Sequence, residues 1–127
     1  MSRTHKPTPT FLSYRRVFPG DLNPRNTLFG GRLLAWIDEE AAYFLEAELG
    51  VASLAARSIQ VEFLSPARQG DLLRFEFVLT DVGRTSMTMS VEVLIHSTSV
   101  VIASAEKFVA VHIDGDGVPA PHGYVLR

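Results

Sequence analysis

A chain of 127 residues holds one domain, and with 46% apolar residues it can build a core but has no room for a second lobe. The formal charge of −2 leaves no basic footprint for nucleic acid or for an anionic membrane surface, so neither partner is expected. With no cysteine there is no disulfide, thiol nucleophile or thiolate metal site; this fits a reducing compartment, and the cytoplasm is the expected location.

Residues 1–10 are polar and carry Pro7 and Pro9 where a signal peptide would have an apolar run, so they read as a flexible tail. No later apolar stretch approaches the about 18 residues of a membrane-spanning helix. Residues 11–17 form a short extended segment able to pair at a sheet edge. A turn-rich loop follows, Pro19-Gly20-Asp21-Leu22-Asn23-Pro24, dense in residues that set or tolerate special backbone angles. From Leu28 the composition turns to Leu, Ala, Trp, Ile and Glu, with no proline before Pro66. This predicts one helix of about five turns, stopped by Gly50.

On that helix Leu34, Ile37, Ala41 and Leu45 share a narrow sector at roughly 100° per residue, and Asp38 falls among them. An aspartate on a buried stripe costs several kcal/mol if ionised and unpaired, so it is paired, at the rim, or kept for chemistry. Glu39, Glu46 and Arg32 project to the other side as surface charges. At the helix start Phe29 precedes Gly30 and Gly31, two residues without a Cβ where free N–H groups point outward. Such a pair either lets helix and sheet pack closely or lets a ligand approach a helix end that favours negative charge.

The state of residues 51–57 is open; after them come strand patterns. Ile59, Val61 and Phe63 alternate with polar neighbours up to a turn at Pro66 and Gly70-Asp71. Leu73, Phe75, Phe77 and Leu79 alternate up to a turn over residues 81–84, and Met87, Met89, Val91, Val93 and Ile95 follow. Residues 100–112 are apolar on both faces except Glu106 and Lys107, which marks a central or interface strand. Residues 115–127, rich in Gly and Pro, are coil. One early helix and a run of antiparallel strands make an α+β layout in which the sheet can wrap the helix.

Other chemistries find no support. His5, His96, His112 and His122 are scattered and form no metal-ligand spacing, so no metal is expected. There is no GxSxG elbow and no GxxxxGK[ST] loop. Met87 and Met89 share a strand face with Val91 and read as core.

The string Asn23, Phe29-Gly30-Gly31 and Asp38 resembles the signature of hotdog-fold acyl-CoA thioesterases, the bacterial broad-range class and its cytosolic eukaryotic relatives. Many members have His where this chain has Phe29, a change that leaves the implied catalytic groups untouched. The similarity runs on through Phe63-Leu64-Ser65-Pro66, Gly70-Asp71 and Gly83-Arg84-Thr85-Ser86 to Phe108-Val109-Ala110-Val111, covering nearly everything after Phe11. It implies a hotdog domain over residues 11–114, with a long central helix wrapped by a curved antiparallel sheet. It also implies a homodimer whose sheets join edge to edge and which assembles further into a tetramer or hexamer.

The implied activity is hydrolysis of acyl-CoA to free acid and coenzyme A, with no cofactor, since coenzyme A belongs to substrate and product. On the same resemblance Asp38 is general base or nucleophile, the Gly30 N–H is the oxyanion donor, and Asn23 of the facing subunit orients water or substrate. Asn23 also reads as an Asx turn ahead of Pro24. Gly31, Arg57, Gly83, Arg84, Thr85, Ser86 and Lys107 are the implied substrate-binding residues, Arg84 and the two hydroxyls facing the phosphates of coenzyme A. Residues 83–86 also read simply as a turn, and Lys107 as a solvated strand residue. Ala56, near Arg57 and Ser58, stands where a relative carries Ser. The alternative is a non-catalytic acyl-CoA-binding sensor of the same fold, although 127 residues leave no length for the regulatory segment such sensors carry. A dehydratase of this fold would want a His beside the acid, and none lies in the loop or helix.

Overall fold

The computed structural model describes residues 8–125, and the first seven residues of the expected tail lie outside it. Strand β1 (Thr10–Arg16) leads through a 3₁₀ turn (Pro19–Asp21) to helix α1 (Gly30–Tyr43), which runs on into wider turns over Phe44–Glu48. Then come β2 (Leu54–Ile59), β3 (Glu62–Phe63), β4 (Leu72–Val82), β5 (Ser86–Ile95) and β6 (Val101–His112). All pairings are antiparallel, in the order β1-β4-β5-β6-β2, with β3 also paired to β6. One long helix packed on one six-stranded sheet is the expected α+β arrangement.

Period-two patterning decides which sheet face meets the helix. Leu73, Phe75, Phe77 and Leu79 of β4 are buried, as are Met87, Met89, Val91 and Val93 of β5, and Ile102, Phe108 and Ala110 of β6 join the same core. The helix contributes Leu33, Trp36, Ile37, Ala41, Phe44 and Leu45. Phe44 stacks on Phe11 with ring centroids 5.6 Å apart and meets Phe77 at 6.0 Å, tying the helix end to β1 and β4. Aromatic pairs of this kind contribute about 0.5–1.5 kcal/mol beyond their buried area.

The structure keeps Ile37, Ala41 and Leu45 of the expected stripe in the core and corrects the rest: Leu34 and Asp38 are exposed, and Leu33, Trp36 and Glu40 complete the buried face. The bulky Trp36 and Phe44 set the rotation, and Glu40, only 6% exposed, is the acid that goes inside. The last turns widen: Leu49 N–H bonds to Phe44 O five residues back at 3.1 Å, and Gly50, at φ 73°, reverses the chain.

The strand expected over residues 59–63 is in fact two pieces. β2 starts earlier, at Leu54, with a bulge at Arg57, and β3 resumes at Glu62 along the same partner. Phe63 is 55% exposed rather than core. β6 is central in the sheet, hydrogen-bonded along one edge to β5 and along the other to β2 and β3. Of the two expected places for this strand, central or interface, the central one is realised; the sheet edges are β1 and the β2–β3 side.

Candidate active site

The loop before α1 is held by its own polar groups. The Asp21 carboxylate accepts the Phe18 N–H at 2.9 Å and faces the Arg32 guanidinium at 3.6 Å, while its carbonyl accepts the Phe29 N–H at 3.0 Å. Asn23 forms an Asx turn: its Oδ1 accepts the N–H groups of Arg25 at 2.9 Å and Thr27 at 3.2 Å, and its Nδ2 donates to Thr27 Oγ1 at 2.9 Å. The turn reading of Asn23 is thus realised, with one Nδ2 proton left over.

This loop delivers the chain to Gly30 with no side-chain cap from Phe29, so the first N–H groups of α1 stay unpaired as helix geometry dictates. A Cβ at Gly30 would touch the Phe63 ring at 3.5 Å, whereas Gly31 has open space. Asn23 and Gly30 line one cavity of about 580 Å³, together with Leu28, Leu33, Phe63 and Ile102. The positive end of the helix dipole faces into it.

Asp38 lies elsewhere. It heads a groove of about 280 Å³ floored by Ala41, Ala42, Ala56 and Ala110, walled by Leu45 and Phe108, and reaching Glu46, Ser53 and Leu54 at its far end. Two turns separate Gly30 from Asp38, about 12 Å along the axis at 1.5 Å per residue. Among the described residues Asp38 has no hydrogen-bond or ion-pair partner, so its carboxylate keeps all its acceptor capacity.

The opposite flank of α1 is closed. Arg15 on β1 donates to Glu40 from Nε at 3.0 Å and from Nη2 at 2.8 Å, reaches Glu39 at 2.7 Å, and lies over the Trp36 ring at 5.6 Å. Burial pulls the Arg15 pKa down, but its hydrogen bonds to Glu40 and Glu39 outweigh that and hold it above the ordinary value. This fork of contacts is the reason a glutamate can face the core. Sequence spacing gave no sign of it, because Arg15 comes 25 residues earlier.

Gly83, Arg84 and Thr85 connect β4 to β5, and a Cβ at Gly83 would collide with Ser86 Oγ. Arg84 is exposed, and among the described residues it has no acidic partner. The turn is braced by the C-terminal coil: His122 Nε2 meets Ser86 O at 3.1 Å, and the His122 N–H bonds to Arg84 O at 3.3 Å. Val118 and Asp116 N–H groups hold the Asp114 carboxyl below its usual pKa and shape the bend leading into that coil. Arg57 projects from the β2 bulge, and Lys107 is exposed on β6. Within one chain, then, Asn23 and Gly30 come together, Asp38 stands apart, and Arg84 to Ser86 lie at another edge.

A model of the thioesterase superfamily matches residues 25–102, which span the helix, the loop carrying Gly30 and most of the sheet. The chain belongs to the thioesterase superfamily. Among solved members, the acyl-CoA hydrolase of Staphylococcus aureus, in complex with butyryl coenzyme A, coenzyme A and coenzyme A disulfide, is 31% identical with a TM-score of 0.77. The match covers 94% of this chain and 72% of that one. Variants of that hydrolase with one aspartate or one asparagine replaced by alanine have also been solved and give TM-scores of 0.78 and 0.79. An apo-hexameric acyl-CoA thioesterase is 34% identical with a TM-score of 0.78, over 94% of this chain and 78% of its own. These likenesses make the α+β layout a hotdog fold. A Bacillus subtilis (strain 168) protein named as an uncharacterised acyl-CoA thioester hydrolase is 35% identical over 111 residues, 84% of this chain. This chain spans 64% of that relative's length. Among its described residues no helix is long and apolar enough to cross a membrane, and no three His, Asp or Glu side chains converge as a metal site.

Proposed function

We propose that this thioesterase-superfamily chain hydrolyses acyl-CoA thioesters, with Asp38 of one subunit and Asn23 and Gly30 of another completing each site. The carrying observation is the split geometry: an unpaired carboxylate heads one groove, and a free helix N-terminus opens into a separate cavity about 12 Å away along the helix. A homodimer that apposes these two surfaces across the β2–β3 edge would supply both halves; exposed Phe29, Leu34, Phe63 and Leu64 favour such burial. The asparagine and aspartate altered in the S. aureus hydrolase stand the same number of positions apart as Asn23 and Asp38, which supports this assignment.

The thioester carbonyl would accept from the Gly30 N–H, where the helix end and the approach allowed by Gly31 stabilise the developing oxyanion. Asp38 would take the proton of an attacking water as the thiolate leaves as coenzyme A, or would attack the carbonyl itself, expelling the thiolate and forming an anhydride that water then hydrolyses to the free acid and the Asp38 carboxylate. Asn23 keeps its loop in shape and retains one Nδ2 proton for the water or substrate. Arg84, Thr85 and Ser86, with Gly83 allowing the tight turn, would meet the phosphates, and Arg57 and Lys107 add cationic surface. Coenzyme A is part of substrate and product, so no cofactor is assigned. Assembly beyond the dimer, to tetramer or hexamer, and a cytoplasmic location complete the proposal; the hexameric neighbour supports the former.

Free-thiol release across a panel of acyl-CoAs tests the activity, and subunit mixing tests the split site. Asn23→Ala and Asp38→Ala chains, each inactive alone, should together recover about a quarter of the wild-type rate. Half of randomly paired dimers are mixed, and each mixed dimer holds one intact site. No recovery after verified subunit exchange would put both residues in one subunit's site or remove Asn23 from it.

A further inference from the structure

The Gly- and Pro-rich coil after β6 is tied down along its length, and its ties converge on the β4–β5 turn. The Asp114 carboxylate accepts the N–H groups of Asp116 at 2.9 Å and Val118 at 3.0 Å, which folds the chain back toward β6. The Ala120 N–H then donates to His112 O at 2.9 Å, and Ala120 O meets His112 Nδ1 at 3.0 Å. Two residues on, the half-buried His122 ring is engaged at both nitrogens. Its Nδ1 accepts the Tyr124 N–H at 2.9 Å, which leaves the ring proton on Nε2, directed at Ser86 O 3.1 Å away. Tyr124 itself packs against the core.

The carbonyls of the turn are all taken up by this arrangement. Arg84 O accepts the His122 N–H at 3.3 Å, Thr85 O accepts the His112 N–H at 2.8 Å, and Ser86 O accepts the Gly83 N–H at 2.9 Å as well as His122 Nε2–H. The C=O and the following N–H of a planar trans peptide point in opposite directions, so fixing the Arg84 and Thr85 carbonyls also turns the Thr85 and Ser86 N–H groups the other way. A short connection between two strands has several backbone solutions, and the coil selects one. The direction in which the exposed Arg84 side chain leaves the turn is set with it.

We infer that His122 is a positioning residue for recognition of coenzyme A: it seats the coil on the carbonyls of Arg84 and Ser86 and so holds the Arg84 guanidinium where a phosphate arrives. The inference rests on the thioesterase reading above, in which this turn meets the nucleotide, and extends it to a segment that reading leaves out. A coil that only covered the core would need the Tyr124 ring but no side-chain donor aimed at a carbonyl of the turn. Backbone ordered before the ligand binds removes an ordering cost that would otherwise weaken binding.

The test uses the full chain with butyryl-CoA and butyryl-pantetheine, which share the thioester and differ in the nucleotide. His122→Phe keeps a ring and removes both nitrogens. It should raise KM for butyryl-CoA about fivefold relative to butyryl-pantetheine, the loss of one neutral hydrogen bond, with kcat within about twofold. His122→Gln, whose Nε2 can still donate to Ser86 O, should recover most of that ratio. Gly123→Ala leaves every polar group in place but strains the φ of 74° that brings the Tyr124 N–H back to the ring, and it should move the ratio the same way by about twofold. On top of Arg84→Ala, His122→Phe should add less than about twofold, because the cation it positions is gone. Unchanged ratios in both His122→Phe and Gly123→Ala would overturn the inference, as would an undiminished penalty on top of Arg84→Ala. If Arg84→Ala itself affects both substrates equally, the phosphate reading of the turn fails and the inference falls with it. If the wild-type chain hydrolyses no thioester, the hydrolase reading alone fails, and calorimetry with coenzyme A and pantetheine decides the role of His122. Weaker coenzyme A binding by His122→Phe with pantetheine unchanged upholds it, and equal binding by both proteins overturns it.

Discussion

The two flanks of α1 carry acids two residues apart and treat them in opposite ways. Glu40 faces the sheet, is 6% exposed, and is gripped by Arg15 through two hydrogen bonds. Asp38 faces the groove with no partner among the described residues. A carboxylate whose lone pairs are taken up by a guanidinium holds a fold together but has little left to offer a water or a carbonyl. A carboxylate held on a rigid helix beside an open groove is free to accept a proton. Burial alone therefore does not single out the candidate acid on this helix; the lack of a partner among the described residues does.

Replacement of each acid in turn gives the largest expected contrast. Asp38→Asn should lower kcat by about 10³, within the range that positioned proton transfer contributes, while circular dichroism and acyl-CoA binding stay close to wild type. Glu39→Ala should leave kcat within a few fold, since that side chain is half exposed and meets only Arg15. Near wild-type hydrolysis by Asp38→Asn would make the groove carboxylate structural and reverse the comparison.

On the closed flank the expected effect is on stability. Arg15→Ala leaves Glu40 buried with no cation and removes the contact over Trp36, so it should cost about 2–3 kcal/mol, below the full range for buried pairs because Arg15 is itself partly exposed. For a domain of this size that is roughly a 10 °C fall in Tm. Arg15→Ala with Glu40→Met should recover most of it, because the uncompensated charge is gone. A single Arg15→Ala variant with wild-type Tm would show that Glu40 finds water once the guanidinium leaves.

This asymmetry explains which parts of the molecule were legible in the sequence. β4, β5 and β6 could be read because each is a regular strand with one core face, or two, and the alternation records that directly. β2 could not, since Leu-Ala-Ala-Arg-Ser-Ile has no alternation and the bulge at Arg57 breaks its register. The helix was legible in length, but its rotation was not. A spacing rule places acids outward and apolar residues inward, and here a distant arginine admits Glu40 while Leu34 is turned out. The candidate residues were implied by the resemblance of the sequence to a known family; their division between two cavities depends on the loop that delivers Gly30, a tertiary feature with no local signature. The bracing of the β4–β5 turn by His122 is likewise a contact across 36 positions that no local pattern encodes.

The smallest expected effect asks how far the open flank extends, to the turn at Arg84. If that guanidinium meets a phosphate of coenzyme A, Arg84→Ala should raise KM for acyl-CoA with kcat little changed, because a contact remote from the carbonyl is made equally in ground and transition states. A charge-assisted hydrogen bond contributes about 1.5–3 kcal/mol, so the change should be roughly tenfold or more at low salt. It should shrink as ionic strength rises, since Arg84 is exposed and the Debye length falls to about 8 Å near physiological salt. Butyryl-pantetheine, which has no nucleotide, should show no difference between wild type and variant. Equal losses on both substrates would mean that Arg84 acts on the turn itself, through the backbone that His122 braces, and the open flank would then end at the groove mouth by Ser53.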